Sequence, residues 1–336
     1  MPIINGSKVM QAVLYTGTGA TQTIAVGFQP DLVWIKSRSA ATDNKLTDSV
    51  RGATKALISN STAAETTDTN GITAFTSNGF TLGSDSVYNT NGATYVAWCW
   101  QAGQGSTSSN TNGSITSTVS VNASAGFSVV TYTGNGTAGA TVGHGLGVAP
   151  AFIINKSRSA VISWAVYHSA LTGTAGIFLD QATGAVTNSG YWNNTNPTSS
   201  VFSIGNSTLV NVASQTQVAY CWTPIEGYSS FGKYIGNGST DGVFVYTPFR
   251  PKFVIIKRTD TTGDWYTFDT IRDPYNATAQ GLSPNSSTAE ASYTGWGDLL
   301  SNGFKIRRTD AAWNGSGATY IYMAFAENPF KNALAR

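Results

Sequence analysis

Charge is scarce in this sequence. Asp, Glu, Lys and Arg make up only 11% of it, well under half the roughly 25% of an ordinary globular domain. Ser, Thr, Asn and Gly fill the gap. Nineteen Lys+Arg against 17 Asp+Glu leave a formal net charge of +2. No basic cluster stands out, which argues against nucleic acid as a partner. No run approaches the ~20 apolar residues of a membrane-spanning helix, so membrane insertion is not expected. The opening MPIINGSKVMQAV lacks the basic-then-apolar pattern of a secretory leader. Two cysteines and two histidines make no zinc site, and neither metal nor cofactor is expected. Gly-rich TGTGATQ and TGNGTAG lack the Lys-Ser/Thr ending of a phosphate loop.

What is present is order. The 41% hydrophobic share is enough for packed cores, and the chain repeats itself. Tyr15-Thr16-Gly17-Thr18-Gly19 returns as Tyr132-Thr133-Gly134-Asn135-Gly136 and as Tyr234-Ile235-Gly236-Asn237-Gly238. About fifteen residues on, each copy has a proline, an apolar run and a basic end: Pro30-DLVWIKSR, Pro150-AFIINKSR and Pro251-KFVIIKRT. Lys36, Lys156 and Lys257 fall at one equivalent position. TYVAWCW, TQVAYCW and TYIYMAF then close the three copies. A period near a hundred residues is a domain rather than a solenoid turn.

Short runs of Val, Ile, Thr, Tyr, Phe and Trp between Asn-Gly and Thr-Gly punctuation predict strands joined by tight turns. The expected fold is all-β: three tandem antiparallel β-sandwich repeats of jelly-roll or lectin-like type, each with its own small core. Their expected bounds are 1–103, 126–226 and 227–330. Residues 104–125 read as a Ser/Thr/Asn/Gly-rich linker with a possible first strand at its end, and 331–336 as a C-terminal tail. FVIIK and LVWIK, apolar at consecutive positions, predict strands covered on both faces.

Cys99 and Cys221 are equivalent, so in separate interiors they remain buried free thiols, consistent with assembly in a reducing cytoplasm. Chemistry-bearing residues are few. Glu65 and Glu290 match across two copies, yet no convergent carboxylate pair of the glycosidase kind is evident. Asp48-Ser49-Val50-Arg51 recurs as Asp269-Thr270-Ile271-Arg272. It reads as a turn clamp, with an anion or sugar-acid site as the alternative, and the second copy has His168-Ser169 there. His144 and His168 read as structural. No catalytic residue is assigned, and an enzyme is not expected.

The aromatic residues offer the candidate ligand contacts. Tyr191 and Trp192 lie in NSGYWNNTNPTSS with nothing apolar beside them, so their rings could stack on sugar faces or anchor an interface. The alternative folds Trp192 back onto its own domain edge. Trp164 and Trp265, where the first copy has Lys45, and Trp296 and Trp313 complete the expected set.

GSITSTVSVNASAGFSVVTYTGNGTAGATVGHGLGVAPAFIINKSR and the closing AFAENPFKNALAR resemble the repeated domains of tail-fibre and related virion proteins of tailed bacteriophages, especially those of marine and cyanobacterial hosts. The likeness runs through all three copies. It implies a virion component exposed on the particle surface, with other virion proteins and host-surface polysaccharide as partners. A host receptor-binding role is the leading expectation. The alternatives are a capsid or baseplate decoration without a receptor and, behind it, a polysaccharide depolymerase. A homo-oligomer is expected, with a chain trimer as one form, although three repeats in one chain could instead form a pseudo-trimer.

Overall fold

A strand that is apolar at every position needs cover on both faces, and here the two faces enter different cores. In the computed structural model, which describes residues 6–328, Leu32 and Trp34 of strand Leu32–Ser37 face one apolar cluster while Val33 and Ile35 face another. Thr94–Trp100 divides the same way, with Val96, Trp98 and Trp100 on one side and Tyr95, Ala97 and Cys99 on the other. So does Thr216–Trp222, with Val218, Tyr220 and Trp222 opposed to Ala219 and Cys221. Side-chain alternation along a strand makes this division automatic.

The first cluster draws on all three copies. Trp100, Trp222 and Phe325, the ends of the three closing strands, meet at its centre: Trp100 lies 5.8 Å from Trp222 and 5.9 Å from Phe325, ring centre to ring centre. Phe253 sits 5.8 Å from both Trp98 and Trp100. The expectation of three separate small cores is corrected accordingly. One core is shared by the whole chain, and the sandwich cores of the first and second segments flank it. Each buried indole removes roughly 150–250 Å² from water, or about 4–6 kcal/mol at ~25 cal/mol/Å² before entropy is charged against it. The shared core therefore binds the three segments together strongly.

All named strand pairs are antiparallel. Against the shared core lie three sheets whose central orders correspond. The first runs Met10–Thr16, Thr94–Trp100, Leu32–Ser37, Lys45–Asp48, Lys55–Ile58, Thr66–Thr67. The second repeats this as Phe127–Thr133, Thr216–Trp222, Phe152–Ser157, Ala165–His168, Ala175–Phe178, Val186–Thr187. The third begins Ser229–Ile235, Thr319–Ala326, Pro251–Arg258, Trp265–Asp269. Smaller sheets close each sandwich from outside, including the pairs Gln22–Ala25 with Gly79–Leu82, Ala140–Gly143 with Val201–Ile204, and Phe244–Tyr246 with Gly303–Ile306. Helix among the described residues is limited to single turns. The 331–336 tail and the end of the closing motif lie outside the described residues.

The Tyr-x-Gly-x-Gly signature has a structural origin. A Cβ on Gly17, Gly134 or Gly236 would lie 2.2, 2.4 or 2.3 Å from a backbone oxygen of the facing turn. A buried asparagine holds each turn in place: Asn89 Oδ1 accepts from Thr18 N, Asn211 Oδ1 from Asn135 N, and Asn314 Oδ1 from Asn237 N. The tyrosine hydroxyl donates to a nearby backbone carbonyl in every copy, from Tyr15 to Tyr88, Tyr132 to Val210 and Tyr234 to Trp313.

The segments also join head to tail. Residues 58–65 reach the second segment, where Glu65 N donates to Arg158 O and Ile162 N to Thr62 O. Residues 178–185 reach the third, where Ala185 N donates to Thr259 O and Gly263 N to Ala182 O. Residues 283–290 return to the first, where Glu290 N donates to Arg38 O. Three heterologous contacts that close on themselves form a ring with pseudo-threefold symmetry.

Candidate functional site

The charge that the chain does possess concentrates at these junctions. Asp48 Oδ1 accepts from the amides of Val50 and Arg51, an aspartate turn that fixes the loop after strand Lys45–Asp48. Its other oxygen binds the Arg51 guanidinium and, at 2.8 Å, the Tyr220 hydroxyl of the second segment. Arg51 continues to Glu65 at 3.0 Å, and Glu65 takes two hydrogen bonds from Arg158. The junction between the third and first segments repeats the arrangement. Arg272 bridges Asp269 and Glu290, Trp98 Nε1 donates to Asp269 at 2.9 Å, and Arg38 grips Glu290 bidentately. Burial lowers the pKa of Arg51 and raises that of Glu65, in each case favouring the neutral form. Asp48, Tyr220 and Glu65 more than reverse the first effect, and Arg158 and Arg51 the second, so both groups stay charged.

The junction between the second and third segments uses no ions in these places. His168, Leu171 and Ala185 stand where the others have Asp, Arg and Glu, and Met323 stands where they have Tyr220 and Trp98. A methionine offers no donor to a carboxylate. The imidazole instead accepts from Ala170 N at Nδ1 and, as the Nε2–H tautomer this implies, donates to the Tyr322 carbonyl at 3.1 Å. Desolvation lowers its pKa to about 4, so it is neutral near pH 7. The turn-clamp reading of Asp-x-x-Arg thus describes its geometry, with the clamp extended across the segment boundary.

Lys36, Lys156 and Lys257 serve all three junctions. Each ammonium donates to a carbonyl of the incoming segment, Ser287, Thr62 and Ala182 respectively, and to carbonyls of its own loop. Burial lowers each pKa to about 8, partly opposed by Asp43, Asp180 and Asp264.

The six aromatic residues expected to contact ligand are all buried and none offers an open ring face, and Trp192 takes the alternative placement, folded onto its own segment. Trp164 and Trp265 are junction pins: Trp164 Nε1 donates to Ile58 O and Ser61 O, and Trp265 Nε1 to Phe178 O. Tyr191 and Trp192 occupy the single turn Ser189–Trp192, capped by Asn188. That turn aims them inward at Phe178 and Tyr167, 5.7 and 5.8 Å away. Their partners are distant in sequence, so the polar neighbours misled. Trp296 stacks on Phe268 at 3.7 Å, and Trp313 packs on Tyr293 at 4.9 Å, inside the third segment.

One accessible concavity is built from hydroxyls instead. Thr116, Thr118, Thr131, Thr133, Arg158 and Thr216, with Ser117 and Tyr132 between the threonines, line a shallow groove of about 220 Å³ on the second segment, the Ser117 hydroxyl itself being buried against Gly143 O. Hydroxyls both donate and accept, so such a surface suits a neutral polyhydroxyl ligand held by hydrogen bonds rather than ring stacking. Sequence reasoning missed it because its floor is formed by strand pairing between Ser117–Asn122 and Phe127–Thr133.

A single family model spans residues 5–329, all three segments together. The chain belongs to the DUF7483 family, a domain of unknown function. No curated protein matches this sequence. The DUF7483 match crosses both segment boundaries, in keeping with a ring whose parts share one core.

Proposed function

We propose that this chain is a non-catalytic structural component of a tailed-bacteriophage particle, a rigid three-segment ring exposed at the particle surface that contacts the host. The observation that carries this reading is the use of buried charge. Asp48, Glu65, Asp269 and Glu290 are all engaged by arginines across or beside the junctions. Groups held this way stiffen the ring and are not poised for acid–base work. The resemblance to tail-fibre repeats supports the particle location. A weak hydroxyl groove on each chain, multiplied over many chains on one particle, supplies useful avidity. With so little surface charge, such binding depends little on salt.

Adsorption of the fluorescently labelled chain to host cells tests the reading. Thr118→Ala combined with Thr131→Ala is expected to abolish adsorption while leaving the fold intact, and wild-type adsorption is expected to persist from low to marine NaCl. Adsorption untouched by the double substitution removes the groove from the mechanism. The burial of all six candidate aromatic rings favours a second reading, a decoration protein without a receptor. Gold-labelled antibody seen on capsid or baseplate, with no adsorption by the free chain, is the result expected of it.

A further inference from the structure

Among the described residues, the second segment differs from its neighbours in having its sheet edge covered by the chain itself. Residues 104–122 fold back so that Ser117–Asn122 pairs with Phe127–Thr133, matching Thr118 with Thr131, Ser120 with Val129 and Asn122 with Phe127. Ser108–Asn110 then pairs outside it. Between them Ile115 bridges to Val142 of the outer sheet, and Ile115 and Val119 enter the sandwich core. The covering is close. A Cβ on Gly143 would lie 2.0 Å from Asn110 Oδ1.

The third segment has the same edge without the cover. Among the described residues, strand Ser229–Ile235 pairs only with Thr319–Ala326. The bonds of Gly236 N to Ala318 O and Ala326 N to Tyr228 O set the even-numbered residues as those that bond inward. Phe231, Lys233 and Ile235 therefore direct their N–H and C=O groups outward, where no backbone partner meets them among the described residues. Beside this edge, Phe244 and Tyr246 of the outer strand stand where the second segment has Thr141 and the linker-covered Gly143. Ile235, Phe244 and Tyr246 are 62%, 41% and 58% exposed, while Val245 between the last two is buried. An open row of backbone groups next to exposed apolar side chains is a template for strand pairing. The first segment has the open edge, Met10–Thr16, but its outer strand presents Thr23 and Ala25, and its apolar surface there is smaller.

We propose that the Ser229–Ile235 edge of the third segment, with Phe244 and Tyr246, binds an extended segment of another polypeptide by strand addition. The occupant alternates Ser or Thr with Val or Ile and carries no charge, because the strand that fills the equivalent edge within this chain has that composition. Its backbone N–H and C=O groups complete the ladder, and its branched residues pack on the sandwich side beside the strand that carries Phe244 and Tyr246.

The probe is a fluorescent peptide of residues 108–122, SSNTNGSITSTVSVN, titrated against the full chain by polarisation. Saturable binding is expected. Lys233→Pro deletes an outward N–H and leaves the inward ladder intact, so it should weaken binding about tenfold or more. The double variant Phe244→Ser/Tyr246→Ser should weaken it too without touching the backbone, and it decides the matter if the proline variant fails to fold. Leu14→Pro, on the first segment's edge, should leave binding unchanged. Absence of saturable binding to the wild-type chain overturns the proposal, as does equal binding by the wild type and the Phe244/Tyr246 double variant.

Discussion

Replacing Arg51 by leucine removes the guanidinium that bridges Asp48 and Glu65 at the first junction. Asp48 has a fully buried side chain and would keep only the Tyr220 hydroxyl and two backbone amides. Glu65 is 11% exposed and would keep Arg158. Breaking a buried pair by deleting one partner costs about 3–5 kcal/mol, and the surviving contacts place this case near about 3. At about 2.1 cal/mol/K per residue, unfolding this chain of 336 residues carries about 0.7 kcal/mol/K, so the melting temperature should fall by about 4 °C. The protein already contains the compensated alternative. Installing the second–third junction at the first, as Asp48→His, Arg51→Leu, Glu65→Ala and Tyr220→Met together, removes the buried ions and leaves no carboxylate stranded, while Arg158, 23% exposed, is left to water. That fourfold variant should melt within about 1 kcal/mol, or roughly 1–2 °C, of the wild type. Circular dichroism melts at fixed concentration and pH 7 make the comparison. If the fourfold variant is as destabilised as Arg51→Leu alone, the third junction is not an equivalent solution and the argument from internal comparison fails.

Residues 126–226 expressed alone should be insoluble or bind a hydrophobic dye strongly, because Phe152, Tyr220 and Trp222 lose the neighbours that cover them; a soluble fragment with a cooperative melt would contradict the shared core. Neutral His168, with its pKa lowered to about 4, binds fewer protons folded than unfolded at mildly acidic pH. Its contribution to stability is therefore present above the unfolded value of about 6.5 and is lost as pH falls from there toward 4. His168→Gln should flatten the decline in urea midpoint between pH 6.5 and 4.5, and an unchanged slope would refute the assignment. Cys99 and Cys221 are fully buried, and burial raises the pKa of both thiols, so a thiol reagent should label them only in denaturant.

Much of the fold was legible because strand signals are local. The apolar runs around Trp34 and Ile255 demanded cover on both faces, and the recurring Tyr-x-Gly-x-Gly marked the repeat. That one of those faces belongs to a core common to all three segments was not legible, since periodicity tells that a face is buried and not against what. The same limit misplaced Tyr191 and Trp192, whose partners Phe178 and Tyr167 come from other strands. The Asp48–Arg51 and Asp269–Arg272 spacings disclosed a local clamp. Their reach to Tyr220 and Trp98 required knowledge of which segments touch. His168 looked like an irregularity until Met323 appeared opposite it, where an aspartate would have had no donor to meet.

Closure also fixes a count. Linear repeat proteins lengthen or shorten by a unit and stay folded, because each unit touches only its neighbours. Here residues 283–290 must find Arg38, and Trp100, Trp222 and Phe325 must meet at one point. A duplication or deletion of one segment would open the circle and leave the centre either hollow or overfilled. The gene can vary its loops and edges freely, but its number of segments is set by geometry at three.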